Sequence, residues 1–261
     1  MSTPFNEGRI DQAKDTLEAY LMSGVYELSA GQFESYAKIS EVIAYMDAPG
    51  VIAVDGPTSS GKTSLTQSLV EHYERQGLPV TILPLDYLLT DRDTRHIAYQ
   101  SIVEGRMGVA EYSGAAWEHA RYRQVLEAAT DIMLSAAEPQ TLIIPSTYNR
   151  STGRSEITQP VRVYPGGIII TEGVGLHAYH GDLMDSRVRV DVRDDDALLQ
   201  RIFAREQLKD PASRLAETYL QWRYTLVDLP HTAYLRSASS GCADYVVDTS
   251  DQVGMLVYKK I

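Results

Sequence analysis

Eight consecutive residues, Gly56-Pro57-Thr58-Ser59-Ser60-Gly61-Lys62-Thr63, follow the pattern G-x-x-x-x-G-K-[ST]. Each fixed position has a physical job towards phosphate oxygens. The glycines let the backbone turn tightly and aim its N–H groups at an anion. A helix opening near Gly61 adds the positive end of its dipole. Lys62 is placed to reach β- and γ-phosphates, and Thr63 to offer its hydroxyl to Mg²⁺. Pro57, Thr58, Ser59 and Ser60 form the body of the loop, and Ser64 completes the contacting segment. This is the chemistry of a site for the phosphates of ATP or GTP. By itself the loop does not separate a phosphotransferase from a switch or a motor.

Two acids extend the pattern. Asp86 ends an apolar run over 80–85, and Glu172 ends a later one over 167–171. In a parallel sheet the C-terminal strand ends line the ligand crevice. Asp86 could there accept a proton from a substrate hydroxyl, and Glu172 could hold Mg²⁺ directly or through water. Taken singly, each reads equally well as a polar strand cap. Two such acids beside one phosphate loop are better explained by a metal–phosphate site. Arg201 and Arg205, four apart and preceded by Arg193, could close over a transferring phosphoryl group. The plainer reading is a solvated basic face paired with Asp194, Asp195, Asp196 and Glu206.

These residues need a scaffold, and the apolar pattern supplies one. Short β-branched runs at 51–55, 80–85, 141–145, 167–172, 187–192, 245–248 and 255–258 predict strands. Stretches at 61–76, 93–137, 197–208 and 213–226 predict helices, with Gly77 as a helix C-terminal glycine. Continuous apolar strands separated by helices imply a mainly parallel sheet covered on both faces, an α/β fold of three layers. Leu17, Leu21, Val25, Ile39 and Ile43 mark helices before the first strand. The expected division is a helical extension at 1–48 and a phosphate-loop domain at 49–261.

Composition bounds the function. Apolar residues make up 44% of the 261, as in a soluble globular protein, and no apolar run approaches the roughly 20 residues that span a bilayer. A net charge of -11 argues against a sequence-independent grip on nucleic acid. Cys242 is the sole cysteine, so no internal disulfide is available, which fits a reducing, cytoplasmic setting. The first residues show neither a basic start nor an apolar stretch, so no signal peptide is expected. Tyrosines number 17 against 3 phenylalanines. Tyr87, Tyr112, Tyr122 and Tyr148 could stack on a flat substrate, although half-exposed packing explains any single one more simply. His177 and His180 read as loop residues.

The ordered motifs resemble the uridine kinase and phosphoribulokinase group of P-loop kinases. Val54-Asp55-Gly56 with the loop resembles that group's Walker A segment. Leu85-Asp86-Tyr87-Leu88 is similar to its "L-D-D-F-Y" segment, and Ile144-Pro145-Ser146-Thr147-Tyr148-Asn149 to its "P-x-Y-D" segment. Ile170-Thr171-Glu172-Gly173, the helix bearing Arg201, Pro230-His231 and Ala243-Asp244-Tyr245 continue the likeness, which runs from about 50 to 249. The resemblance implies MgATP on the loop, Asp86 as base and an arginine-bearing lid, acting on a small alcohol. Tyr87, Tyr148, Asn149 and Arg154 then fall on the acceptor side. Tyr87 and Asn149 replace acids of the family pattern, which changes the acidic contacts to a nucleoside sugar that the resemblance implies. Arg150 and Arg154 would suit an acceptor with negative charge, or simply a solvated loop.

The sequence therefore predicts an ATP- and Mg²⁺-dependent kinase of a nucleoside-like or sugar-like alcohol, primary by expectation, with a homo-oligomer compatible. A specialised-metabolite or antibiotic-pathway intermediate is the alternative acceptor. A nucleotide-binding regulator without an acceptor is the alternative of a different class.

Overall fold

The β-branched run after Gly50 forms strand β1 (Gly50–Asp55), and all six of its residues are buried. A computed structural model describes residues 36–44, 50–192, 194–209, 221, 223–239, 241–250 and 256–259. The sheet around β1 contains β2 (Val80–Ile82), β5 (Ile168–Gly173), β6 (Ser186–Asp191), β7 (Tyr245–Asp248) and β8 (Leu256–Lys259), in the order β2-β5-β1-β6-β7-β8. Every pair is parallel except β7 with β8. The expected mainly parallel sheet is thus observed.

Alternation along β1 sorts its side chains to two faces. Ile52 and Val54 face a core formed with α1 (Tyr36–Ile43) and α2 (Lys62–Arg75), through Ile39, Ile43, Leu65, Leu69 and Tyr73. Val51 and Ala53 face the opposite core, where α5 (His119–Ser135) contributes Tyr122, Leu126, Ala129 and Met133. Helices on both faces give the three layers. Ile39 and Ile43 are fully buried, and two such side chains contribute roughly 3–6 kcal/mol, which holds the short α1 on α2. Leu17, Leu21 and Val25, the earlier stretch of the expected extension, lie outside the described residues. Gly77 ends α2 as expected, at φ +78°, with its N–H donating to Glu74 O at 3.0 Å.

Three expectations change, and one helix appears where none was predicted. The second strand stops at Ile82, and Asp86 lies beyond it in a 3₁₀ turn, Leu85–Leu88. Pro84, with no N–H to give a ladder, explains the early stop. The run at 141–145 is not part of the main sheet. It belongs to β3 (Gln140–Asn149), which pairs antiparallel with β4 (Arg154–Val163) in a separate hairpin. The tail at 229–238 is helical, α8 (Leu229–Ala238), with Pro230 in its first turn, where the missing N–H costs nothing. His177 and His180 are buried on α6 (Leu176–His180) rather than set in a loop. The remaining helices α3 (Arg92–Val103), α4 (Val109–Ala116) and α7 (Asp195–Lys209) follow the pattern closely.

Candidate active site

The phosphate loop leaves β1 at Asp55 and enters α2 at Lys62. Gly56 sits at φ +149°, and a Cβ there would lie 2.0 Å from the Val190 carbonyl of β6. Only glycine permits both the conformation and the approach. Gly61 takes φ +100° as it turns into the helix. Lys62 Nζ arches over the loop and donates to Pro57 O at 2.7 Å. The hydroxyls of Ser59 and Ser60 are buried with no hydrogen-bond partner among the described residues. Buried, unpartnered hydroxyls on a phosphate loop suit phosphate oxygens.

Asp55 was visible in sequence only as a strand end. Its buried carboxylate accepts from Gly56 N and Gly175 N, both at 2.7 Å, and from His177 N at 3.1 Å. It therefore ties the first amide of the phosphate loop to the segment that follows Glu172. The partners lie 120 and 122 residues away, so no local pattern could reveal them. Proximity to the loop was the one available signal.

Thr63 and Glu172 come together as a pair. Thr63 Oγ1 donates to Glu172 Oε1 at 3.3 Å, and Glu172 Oε2 is buried without a partner among the described residues. An orphaned carboxylate oxygen beside a hydroxyl at the phosphate loop is a hard-oxygen set that fits Mg²⁺. Among the described residues no cluster of three or more His, Cys, Asp or Glu could hold a metal alone.

The turn that carries Asp86 packs closely on the end of β5. A Cβ on Gly173 would fall 2.6 Å from Leu85 Cβ, so the turn carrying Asp86 lies directly on the end of β5. The Asp86 carboxylate accepts from Arg150 Nη2 at 2.8 Å across the hairpin turn. Tyr87 is half-buried in the same turn, and burial raises its pKa. The Tyr148 hydroxyl accepts from Arg95 Nη2 at 2.7 Å, with the guanidinium 4.5 Å over the ring. Asn149 is occupied within the hairpin: Oδ1 accepts from Ser151, and Nδ2 donates to Glu156 Oε1 at 2.9 Å. Arg154 is exposed at the start of β4. Tyr112 and Tyr122 are core residues, 3% and 1% exposed, and cannot stack on a ligand.

Arg201 points to the loop that follows β7. It donates to the Thr249 hydroxyl at 3.2 Å and to the Thr249 and Ser250 carbonyls. Thr249 Oγ1 in turn donates to Ser60 O at 2.8 Å. The helix bearing Arg201 is thereby linked to the phosphate loop. The Arg205 side chain and all of Arg193 lie outside the described residues.

No protein-family model matches the sequence, and no curated protein matches it. Solved structures do. The chain is similar to "a possible uridine kinase" from Bacillus stearothermophilus, with 18% identity and a TM-score of 0.56 over 81% of this chain and 96% of that one. It has the P-loop kinase fold. It is also similar to D-glycerate 3-kinase from Cryptococcus neoformans, with 13% identity and a TM-score of 0.54 over 94% of this chain and 98% of that one. YGR205w protein matches at 11% identity and a TM-score of 0.57, over 97% and 99%. At such identities the likeness establishes the P-loop kinase fold, and the resemblance read from the motifs is borne out at that level.

Proposed function

We propose that the chain is an ATP-dependent kinase that phosphorylates a hydroxyl of a small metabolite. The observation that carries the reading is the pairing of Thr63 with Glu172 at the phosphate loop, with the turn that carries Asp86 packed through Leu85 against Gly173, the residue after Glu172. The loop N–H groups and Lys62 hold the phosphates. Thr63 and Glu172 would hold Mg²⁺, which when bound neutralises charge on the β- and γ-phosphates. The acceptor oxygen attacks the γ-phosphorus, the bond to the β–γ bridging oxygen breaks, and ADP leaves. The hydroxyl proton passes to Asp86. Little covalent chemistry falls to the protein, so positioning and charge carry the rate. Arg201 and Arg205 ride on the helix that would close over the phosphates. Involvement of the Asn149 side chain within its own hairpin favours an acceptor other than uridine.

Replacing Asp86 by Asn tests this. Acceptor-dependent ADP release should fall by about 10²–10⁴, the usual worth of a general base, while ATP still binds. Near-normal turnover in that variant removes Asp86 as the base. Nucleotide binding with no ADP release for any alcohol would favour a regulator instead.

A further inference from the structure

Arg150 holds the atom that the reaction needs. Its Nη2 lies 2.8 Å from Asp86 Oδ2, and as long as it does, that lone pair is engaged by a guanidinium. We propose that Arg150 makes the enzyme selective for anionic acceptors: an acidic group on the acceptor takes Arg150 over and releases Asp86 to act as base. This rests on the kinase reading of the same site.

Three observations support the exchange. First, the pair is easily opened. The two side chains are 64% and 37% exposed, and exposed ion pairs of this kind shift an equilibrium by only about fivefold at most. Second, the backbone under Arg150 is fixed while its side chain is not. Arg92 donates from Nη2 to Arg150 O at 3.1 Å and from its backbone N to Gly153 O at 2.8 Å. A Cβ on Gly153 would lie 2.9 Å from the Arg92 guanidinium carbon, so the turn is clamped on α3. The Arg150 guanidinium has no partner but Asp86 among the described residues. It can therefore swing without disturbing the turn. Third, the reaction itself removes the counter-ion. When Asp86 takes the hydroxyl proton it becomes neutral, and Arg150 is left beside it without a partner. A carboxylate or phosphate on the acceptor replaces that charge throughout the transfer. Guanidinium matches both groups with two parallel N–H bonds, which a neutral hydroxyl cannot reciprocate. Arg95, on α3, donates to the Tyr148 hydroxyl of the same hairpin.

A neutral polyol offers nothing to Arg150 and so meets a base that is still paired. The test uses the full-length protein with MgATP and three matched acceptor sets: polyols of three to six carbons, the corresponding aldonates, and the corresponding monophosphates. At least one anionic set should exceed its neutral partner tenfold or more in kcat/KM, and which set it is tells carboxylate from phosphate. In Arg150→Met the anionic-to-neutral ratio should fall at least tenfold. The same substitution frees Asp86 towards water, so acceptor-independent ATP hydrolysis should rise several-fold, and Asp86→Asn added to it should abolish the rise. Preference for neutral polyols, an unchanged ratio, or unaltered hydrolysis in Arg150→Met each overturns the proposal. Loss of the kinase reading looks different: no acceptor would be phosphorylated, and hydrolysis would not depend on Asp86 in either background.

Discussion

Asp55→Asn is the most informative single change, because one buried carboxylate joins the two nucleotide-binding segments. Asn can keep its carbonyl at the Oδ1 position and so retain Gly56 N and Gly175 N, now at 2.7 Å from a neutral acceptor. Its NH₂ group then replaces Oδ2, which accepts from His177 N at 3.1 Å, and donor faces donor. Hydrogen bonds to charged groups exceed neutral ones by about 1 kcal/mol each, and a buried unpaired N–H costs about 1–3 kcal/mol. Relief of carboxylate burial offsets part of this loss, leaving a net destabilisation of roughly 2–4 kcal/mol. For a chain of this size that lowers the melting temperature by roughly 4–16 °C. Because the same bonds position Gly56 and the stretch after Glu172, the stabilisation produced by MgATP should shrink as well. Circular dichroism melts with and without MgATP measure both effects. An Asn variant that melts within about 2 °C of the parent and responds equally to MgATP would refute the argument, since that shift is below the range the lost bonds require.

Two further outcomes follow from the same geometry. Glu172→Gln preserves an oxygen for the Thr63 hydroxyl but removes the charge from the hard-oxygen pair, so half-saturation by Mg²⁺ should rise tenfold or more at fixed ATP; an unchanged Mg²⁺ titration would remove Glu172 as a ligand. Burial pushes the imidazoles of His119, His180 and His231 down from 6.5 to about 4. Their folded pKa values lie below the unfolded ones, so the unfolded chain binds protons first. Stability from these residues is full above about pH 6.5 and declines as pH falls towards 4. Urea midpoints at pH 7.5, 6 and 5 should descend in that order, and a flat series would mean that the imidazoles are not held neutral.

The parts of the fold legible in sequence are those whose cause is local. The phosphate loop is written in eight adjacent residues. Strands such as β1 and β5 announce themselves because burial on both faces demands unbroken apolar runs. Glycine at position 77 marks its helix end through a conformation that few other residues adopt. Misplaced features have non-local or competing causes. Asp86 sits in a turn rather than at a strand end because Pro84 interrupts the ladder first, a signal present in the sequence but outweighed by the apolar run. The hairpin β3–β4 resembles a sheet strand over 141–145 because periodicity does not say which sheet a strand joins. α8 was hidden by Pro230, since a proline in a first helical turn and a proline that breaks a helix look the same without the structure. Tyr112 and Tyr122 were candidate ligand contacts by type alone; the Tyr122 hydroxyl satisfies Leu83 O at 3.0 Å inside the core instead.

The two halves of the site are therefore encoded differently, and this bears on how the acceptor can change. The phosphate half is set on the central strands of the six-stranded sheet, where Asp55 ties the loop after β1 to the segment after β5. On the acceptor half the joins are long-range, and they include Asp86 to Arg150, Arg95 to Tyr148, Arg92 to Gly153, and Ser155 to Leu89 O at 3.1 Å. All four connect the stretch 86–95 to a hairpin that shares no ladder with the main sheet. Side chains at its turn can change without altering any strand register around β1. Substitutions at the turn, Arg150 above all, should then move acceptor preference while leaving the affinity for MgATP and the melting temperature nearly fixed. Substitutions at Asp55 or Gly56 should damage nucleotide binding and stability together. A hairpin variant that lost stability as steeply as a β1 variant would show that the two halves are one cooperative unit, and the separation argued from the ladders would fall.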